Sequence, residues 1–90
     1  MRTILIERKK NFFKCLSVYE VYCDGKIVAT LRNGAEVILE IDDNPHTIYC
    51  VSSGGDSRTV SDLINIPSGS QSVKLIAKRL VGSIRLEFNN

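Results

Sequence analysis

Apolar and polar side chains alternate at period two along most of this chain, the pattern of strands with one buried face. The clearest run is 36–41, where Val37, Leu39 and Ile41 point one way and Glu36 and Glu40 the other. Residues 17–23 alternate as well, and Tyr19, Val21 and Cys23 carry no charge, so they form the expected core face against Val18, Glu20 and Tyr22. Ile4 and Ile6 share a face in 3–8, as do Ile27, Ala29 and Leu31 in 26–31 and Val73, Leu75 and Ala77 in 72–78. For 46–51 the pattern allows either Ile48 with Cys50 or Tyr49 with Val51 inside. Residues 59–66 read as an irregular strand, since Val60, Leu63, Ile64 and Ile66 fit no single period, and Ile84, Leu86 and Phe88 mark the last strand.

Turn chemistry separates these runs. Asp24-Gly25 and Asn33-Gly34 are dipeptides favoured where both central turn residues need φ > 0, so 18–41 predicts a three-stranded meander. Asp42-Asp43-Asn44-Pro45 and Pro67-Ser68-Gly69-Ser70 are turns by composition, and 9–16 is a loop with Phe12 or Phe13 folded onto the core. Residues 73–86 also fit a helical period through Val73, Ile76, Ala77, Leu80, Val81 and Ile84, but Gly82, Ser83 and the β-branched content favour two strands. About eight strands predict an all-β fold, an antiparallel two-sheet β-sandwich in one domain over residues 1–90. An OB-like barrel would want a helix that the pattern does not supply.

Composition narrows the class. A hydrophobic content of 43% and a charged content of 24% are ordinary for a globular domain. No apolar run approaches the roughly 20 residues of a membrane span, and 1–10 lacks the ~7–15 apolar residues of a signal peptide; a cytoplasmic location without membrane contact is expected. Three cysteines, Cys15, Cys23 and Cys50, are an odd number that suits reduced thiols. The net charge of +2 is unevenly spread: Arg2, Arg8, Lys9, Lys10 and Lys14 face a single acid, Glu7, in the first fourteen residues.

Val21-Tyr22-Cys23-Asp24-Gly25-Lys26, Leu31-Arg32-Asn33-Gly34 and Pro45-His46-Thr47-Ile48 follow one another in an order that resembles small bacterial β-sandwich proteins of unknown function. In these a V-Y-I-D-G-K hairpin precedes N-G and then G-x-H-T-I, and the chain is similar in this respect to PEGA-like domains. Asp43-Asn44-Pro45 stands where that pattern has Gly before His, and the PEGA tetrapeptide itself does not occur. The resemblance covers about residues 17–51 and implies an Ig/PEGA-like accessory module that is not an enzyme.

Candidate chemistry is sparse. His46 could serve a hydrolase only with Ser52, Ser53 or Ser57 and Asp56, without a nucleophile elbow, so its expected role is to hold a turn; no catalytic residue is assigned. A Cys3His zinc site of Cys15, Cys23, Cys50 and His46 fails on spacing, because His46 and Cys50 would lie roughly 13 Å apart in one strand; no metal or cofactor is expected. Residues 52–58 have a glycine pair but not the spacing of a phosphate loop. Two contact surfaces remain. Arg8, Lys9, Lys10, Phe12, Phe13 and Lys14 could bind a ligand or nucleic acid by phosphate contact and base stacking. Tyr22, Val28 and Ile38, on the outer face of the expected meander, could bury against a protein partner or a second copy of the chain. Protein contact, with a homodimer as its simplest form, is the leading reading; nucleic acid is the alternative.

Overall fold

The computed structural model describes residues 1–10, 17–54, 57–80 and 82–89, without the side chains of 53, 54 and 57. Among them nine strands form: β1 (Arg2–Arg8), β2 (Tyr19–Cys23), β3 (Lys26–Leu31), β4 (Glu36–Ile41), β5 (His46–Gly54), β6 (Ser57–Val60), β7 (Ile64–Ile66), β8 (Val73–Leu80) and β9 (Ser83–Phe88). They make a two-sheet β-sandwich, with a four-stranded sheet β4-β1-β8-β9 and a five-stranded sheet β3-β2-β5-β6 in which β7 also pairs β5. Every pairing is antiparallel except β1 with β8. Residues 73–80 and 83–88 are strands, not a helix.

The inward positions follow the alternation. Ile4, Ile6, Ile41, Val73, Leu75, Ala77, Ile84 and Leu86 from one sheet meet Tyr19, Val21, Leu31, Ile48, Cys50 and Ile66 from the other. For β5 this settles the face: Ile48 and Cys50 are inside.

Three departures from the sequence pattern have local causes. The expected meander does not form, because β4 pairs β1 in the opposite sheet. Asp24 and Gly25 both have positive φ, 53° and 82°, and close a tight hairpin; of Asn33 and Gly34 only the glycine does, at 74°. Ala35 N–H donates to the Arg32 carbonyl at 3.0 Å. The one positive φ of this turn falls at its second position, unlike the I′ and II′ turns whose twist matches paired strands, and β3 and β4 part into separate sheets. The second departure is at 59–66, where one expected strand is two. Ser61 N–H donates to the Cys50 carbonyl and Ser61 Oγ accepts from Cys50 N–H, both at 2.8 Å. The serine thus completes the ladder while the chain steps from β6 to β7. Third, the β2–β3 register shifts between Val21 and Tyr22, with Ala29 opposite Val21 but Ile27 opposite Tyr22. This bulge leaves Val28 over and turns Ile27 out, to 50% exposure, whereas alternation places Ile27 inside with Ala29 and Leu31.

Strand β1 has an unusual inward set: Arg2, Ile4, Ile6 and Arg8, all buried. Each arginine plugs one end of the sandwich. Arg2 donates to the carbonyls of Asp42, Asn44 and Pro67. Arg8 Nη1 donates to those of Ser17 at 2.7 Å and Leu31 at 2.9 Å, and its guanidinium lies 3.6 Å from the centre of the Tyr19 ring. Carbonyls where chains cross at a sandwich end have no ladder partner, and a forked donor satisfies several at once.

Candidate functional site

Among the described residues, the outer face of the five-stranded sheet carries the largest aromatic feature. Tyr22 on β2 and Tyr49 on β5 are direct cross-strand partners, their rings stacked with centres 5.0 Å apart and planes 3° from parallel. An offset stack of this kind is a rigid, amphipathic platform. Ile27 continues the row on β3, with Val28 exposed at 46% beside it. Val60, 48% exposed, extends the same face on β6 opposite Val51. Ile38 is also exposed, at 64%, but it lies opposite Leu5 on the outer face of the other sheet. The structure therefore brings Tyr22 and Val28 together and sets Ile38 apart.

Two of the edge strands, β3 and β4, are blunted. β3 begins with Lys26 and is bulged; β4 alternates exposed Glu36, Ile38 and Glu40. Charges and bulges on an edge oppose addition of another strand.

At the Arg8 end, Lys9, Lys10, Lys78, Arg79 and Leu80 line a cleft of about 230 Å³. Lys9 and Lys10 are exposed, Lys78 pairs with Glu87 at 2.8 Å, and Arg79 is buried on the inward side of β8. Arg8 stands behind them, only 3% exposed and engaged with backbone carbonyls. Phe12, Phe13 and Lys14 lie outside the described residues, as does Cys15. The basic character of this end thus draws on β8 as well as on residues 8–10, a pairing across the parallel β1–β8 register that spacing along the chain does not reveal.

The Arg2 end holds a denser polar cluster. His46 opens β5, and its ring sits between two carboxylates: Nδ1 is 2.5 Å from Asp24 Oδ2 and Nε2 is 2.6 Å from Asp42 Oδ1. Asp24 belongs to the β2–β3 turn of one sheet and Asp42 follows β4 of the other, so the imidazole ties the sheets together. The His46 side chain is 14% exposed. Hydrogen bonds to Asp24 and then Asp42 push its pKa up; the bond from His46 pulls both aspartates below the usual carboxylate range, aided by the backbone N–H of Thr47 on Asp24 and of Asn44 on Asp42. Cys23 Sγ adjoins Asp24 Oδ2 at 3.9 Å, and partial burial followed by the Asp24 charge raises its thiol pKa. Cys50, sealed in the core, is pushed up to about 12 by burial. By residue type Asp24 is a turn former and Asp42 a turn residue. The β2–β5 register, with Cys23 opposite Ile48, brings Asp24 to His46, whereas Asp42 reaches it locally from four residues earlier in the β4–β5 turn.

Among the described side chains Ser52 does not partner His46, lying six positions along β5, roughly 20 Å away. Ser53 and Ser57 pair at the far end of β5, with Arg58 and Gly54 respectively, while Asp56 lies outside the described residues. No helix among the described residues is long and apolar enough to cross a membrane. No family model, no curated protein and no solved structure matches the chain.

Proposed function

We propose that this chain is a non-enzymatic β-sandwich interaction module that works by protein contact, with a second copy of itself seated on the outer face of the five-stranded sheet. The observation that carries this reading is the Tyr22–Tyr49 stack, a pre-ordered aromatic platform flanked by Ile27 and Val28, which the bulge directs outward. Aromatic groups held rigid lose little entropy on contact and are the usual anchors of interfaces. Blunted edges at Lys26 and at Glu36 and Glu40 favour face-to-face contact over strand addition. Glu20 on β2 and Arg58 on β6 give the face one charge of each sign, so a copy turned about a two-fold axis offers complementary charge without any excess. The PEGA-like pattern in 17–51 and the unpaired thiols agree with an accessory module of the cytoplasm.

Light scattering over a range of concentrations tests this. The mass is expected to rise from 10.0 kDa towards twice that value, and Ile27→Glu is expected to hold the chain monomeric with its β-sheet spectrum unchanged. Ile38→Glu, on the other sheet, leaves the dimer intact. A strict monomer at millimolar concentration refutes the reading.

The cleft formed by Lys9, Lys10, Lys78 and Arg79 favours a second reading, binding of a polyanion such as single-stranded nucleic acid. Salt-sensitive binding that disappears in Lys9→Glu/Lys10→Glu supports it, and binding untouched by that reversal removes it.

A further inference from the structure

Three donor atoms at the Arg2 end play no part in protein contact on the sheet face: Cys23 Sγ, Asp24 Oδ2 and His46 Nδ1, all within 4.8 Å of one another. We infer that they bind one divalent transition-metal ion of the zinc class, with water as the fourth ligand.

The donor set suits such an ion, being one thiolate, one carboxylate and one imidazole, and three protein ligands plus water is the open arrangement that zinc adopts. Metal–ligand bonds of ~2.0–2.3 Å in a tetrahedron place neighbouring donors roughly 3.3–3.5 Å apart. Asp24 Oδ2 and His46 Nδ1, now 2.5 Å apart, must separate by less than 1 Å (about 0.8 Å), and Cys23 Sγ must approach Asp24 Oδ2 from 3.9 Å by about 0.5 Å. Asp24, whose side chain is half exposed, makes most of this adjustment by rotation, with a smaller shift of the partly buried Cys23.

The surroundings hold these ligands in the orientation an ion needs. His46 Nε2 faces Asp42 Oδ1 at 2.6 Å, the outer carboxylate that directs the other ring nitrogen to a metal. Asp24 Oδ1 accepts the Thr47 backbone N–H at 2.9 Å, which commits one oxygen to the fold and leaves Oδ2 to coordinate. The left-handed φ of 53° at Asp24, rare outside glycine, is fixed by this same hairpin. An adjoining cleft of about 340 Å³, lined by Asp24, Pro45, His46, Thr47 and Asn65 among others, leaves room for the water.

Charge also balances. Below its raised pKa the imidazole carries two protons, one towards each carboxylate. On binding, the Nδ1 proton and the Cys23 thiol proton leave to solvent and the ion's two positive charges replace theirs, so the site keeps its net charge.

Cobalt(II) titrated into the reduced, chelator-stripped full chain tests the inference. One ion per chain is expected, with visible d–d bands of a four-coordinate site and a near-ultraviolet thiolate-to-cobalt charge-transfer band, both displaced by zinc. Cys23→Ser is expected to abolish the charge-transfer band, while Cys15→Ser and Cys50→Ser keep it. Asp42→Ala, which removes only the orienting carboxylate, is expected to weaken binding by ~10–100-fold. His46→Gln is expected to abolish binding; should it fail to fold, Cys23→Ser, at the rim, still decides the question. A wild-type chain without the thiolate band, or a band that persists in Cys23→Ser, overturns the site. Either result leaves dimerisation through Tyr22 and Tyr49 unaffected.

Discussion

Replacing Arg8 by alanine separates a structural plug from a phosphate contact. The guanidinium is buried, donates to the Ser17 and Leu31 carbonyls, and lies 3.6 Å over the Tyr19 ring. A hydrogen bond to a charged group contributes ~1.5–3 kcal/mol, and a desolvated cation–π contact up to about 2 kcal/mol. Relief from burying a charge offsets part of this, so a net loss of about 4 kcal/mol is expected, of the size seen when one partner of a buried polar pair is deleted. Against a total stability of ~5–15 kcal/mol this is severe. At ~4–8 °C per kcal/mol for a domain of this size, Tm falls by roughly 15–30 °C. Arg8→Lys, with a single ammonium in place of the fork, falls between wild type and alanine. Calorimetry and urea denaturation followed by circular dichroism measure both variants. If Arg8→Ala shifts Tm by less than about 3 °C, equivalent to under ~1 kcal/mol, while weakening polyanion binding, Arg8 is a ligand residue and the plug is refuted.

Other outcomes follow from the same contacts. His46 has its pKa raised, so its stabilisation is complete below the unfolded value of ~6.5 and is lost as pH rises through the folded value. Asp24 and Asp42 have theirs lowered, so their contribution is present above ~3.9 and is lost as pH falls through the folded values. Stability from this clasp should therefore be flat between about pH 4 and pH 6.5 and decline on both sides; urea midpoints at about pH 5.5 and pH 7.5 should differ in wild type and converge in His46→Gln. Gly25→Ala meets no atom within 4 Å but places a Cβ at φ 82°, and should cost about 1 kcal/mol by denaturation, a loss that Gly25→Asn reduces. Cys50, buried and with a thiol pKa of about 12, should react with a disulfide reagent only as fast as the chain unfolds, whereas Cys23 reacts in the folded state.

Alternation made the core legible wherever a strand is regular. Val37, Leu39 and Ile41 face the core as the pattern places them, as do Tyr19 and Val21, because burial at period two selects residue type directly. Where backbone geometry intervenes, the pattern misleads. Ile27 turns outward through a bulge that no residue type announces, and β4 pairs β1 in the other sheet although Asn33-Gly34 is a hairpin dipeptide. The arginine plugs follow the same parity, since Arg2 and Arg8 share a face with Ile4 and Ile6, but arginine at such positions gives no sign of burial by residue type. The Cys23–Asp24–His46 cluster was not legible. It joins residues more than twenty positions apart through a register that only the folded sheet supplies.

Amide chemical shifts followed from micromolar to millimolar chain test the central claim most directly. Self-association through the five-stranded sheet predicts concentration-dependent shifts centred on Tyr22, Ile27, Val28, Tyr49 and Val60, with Leu5 and Ile38 unmoved. Shifts that cluster at Leu5 and Ile38, or a spectrum that does not change with concentration, would contradict it.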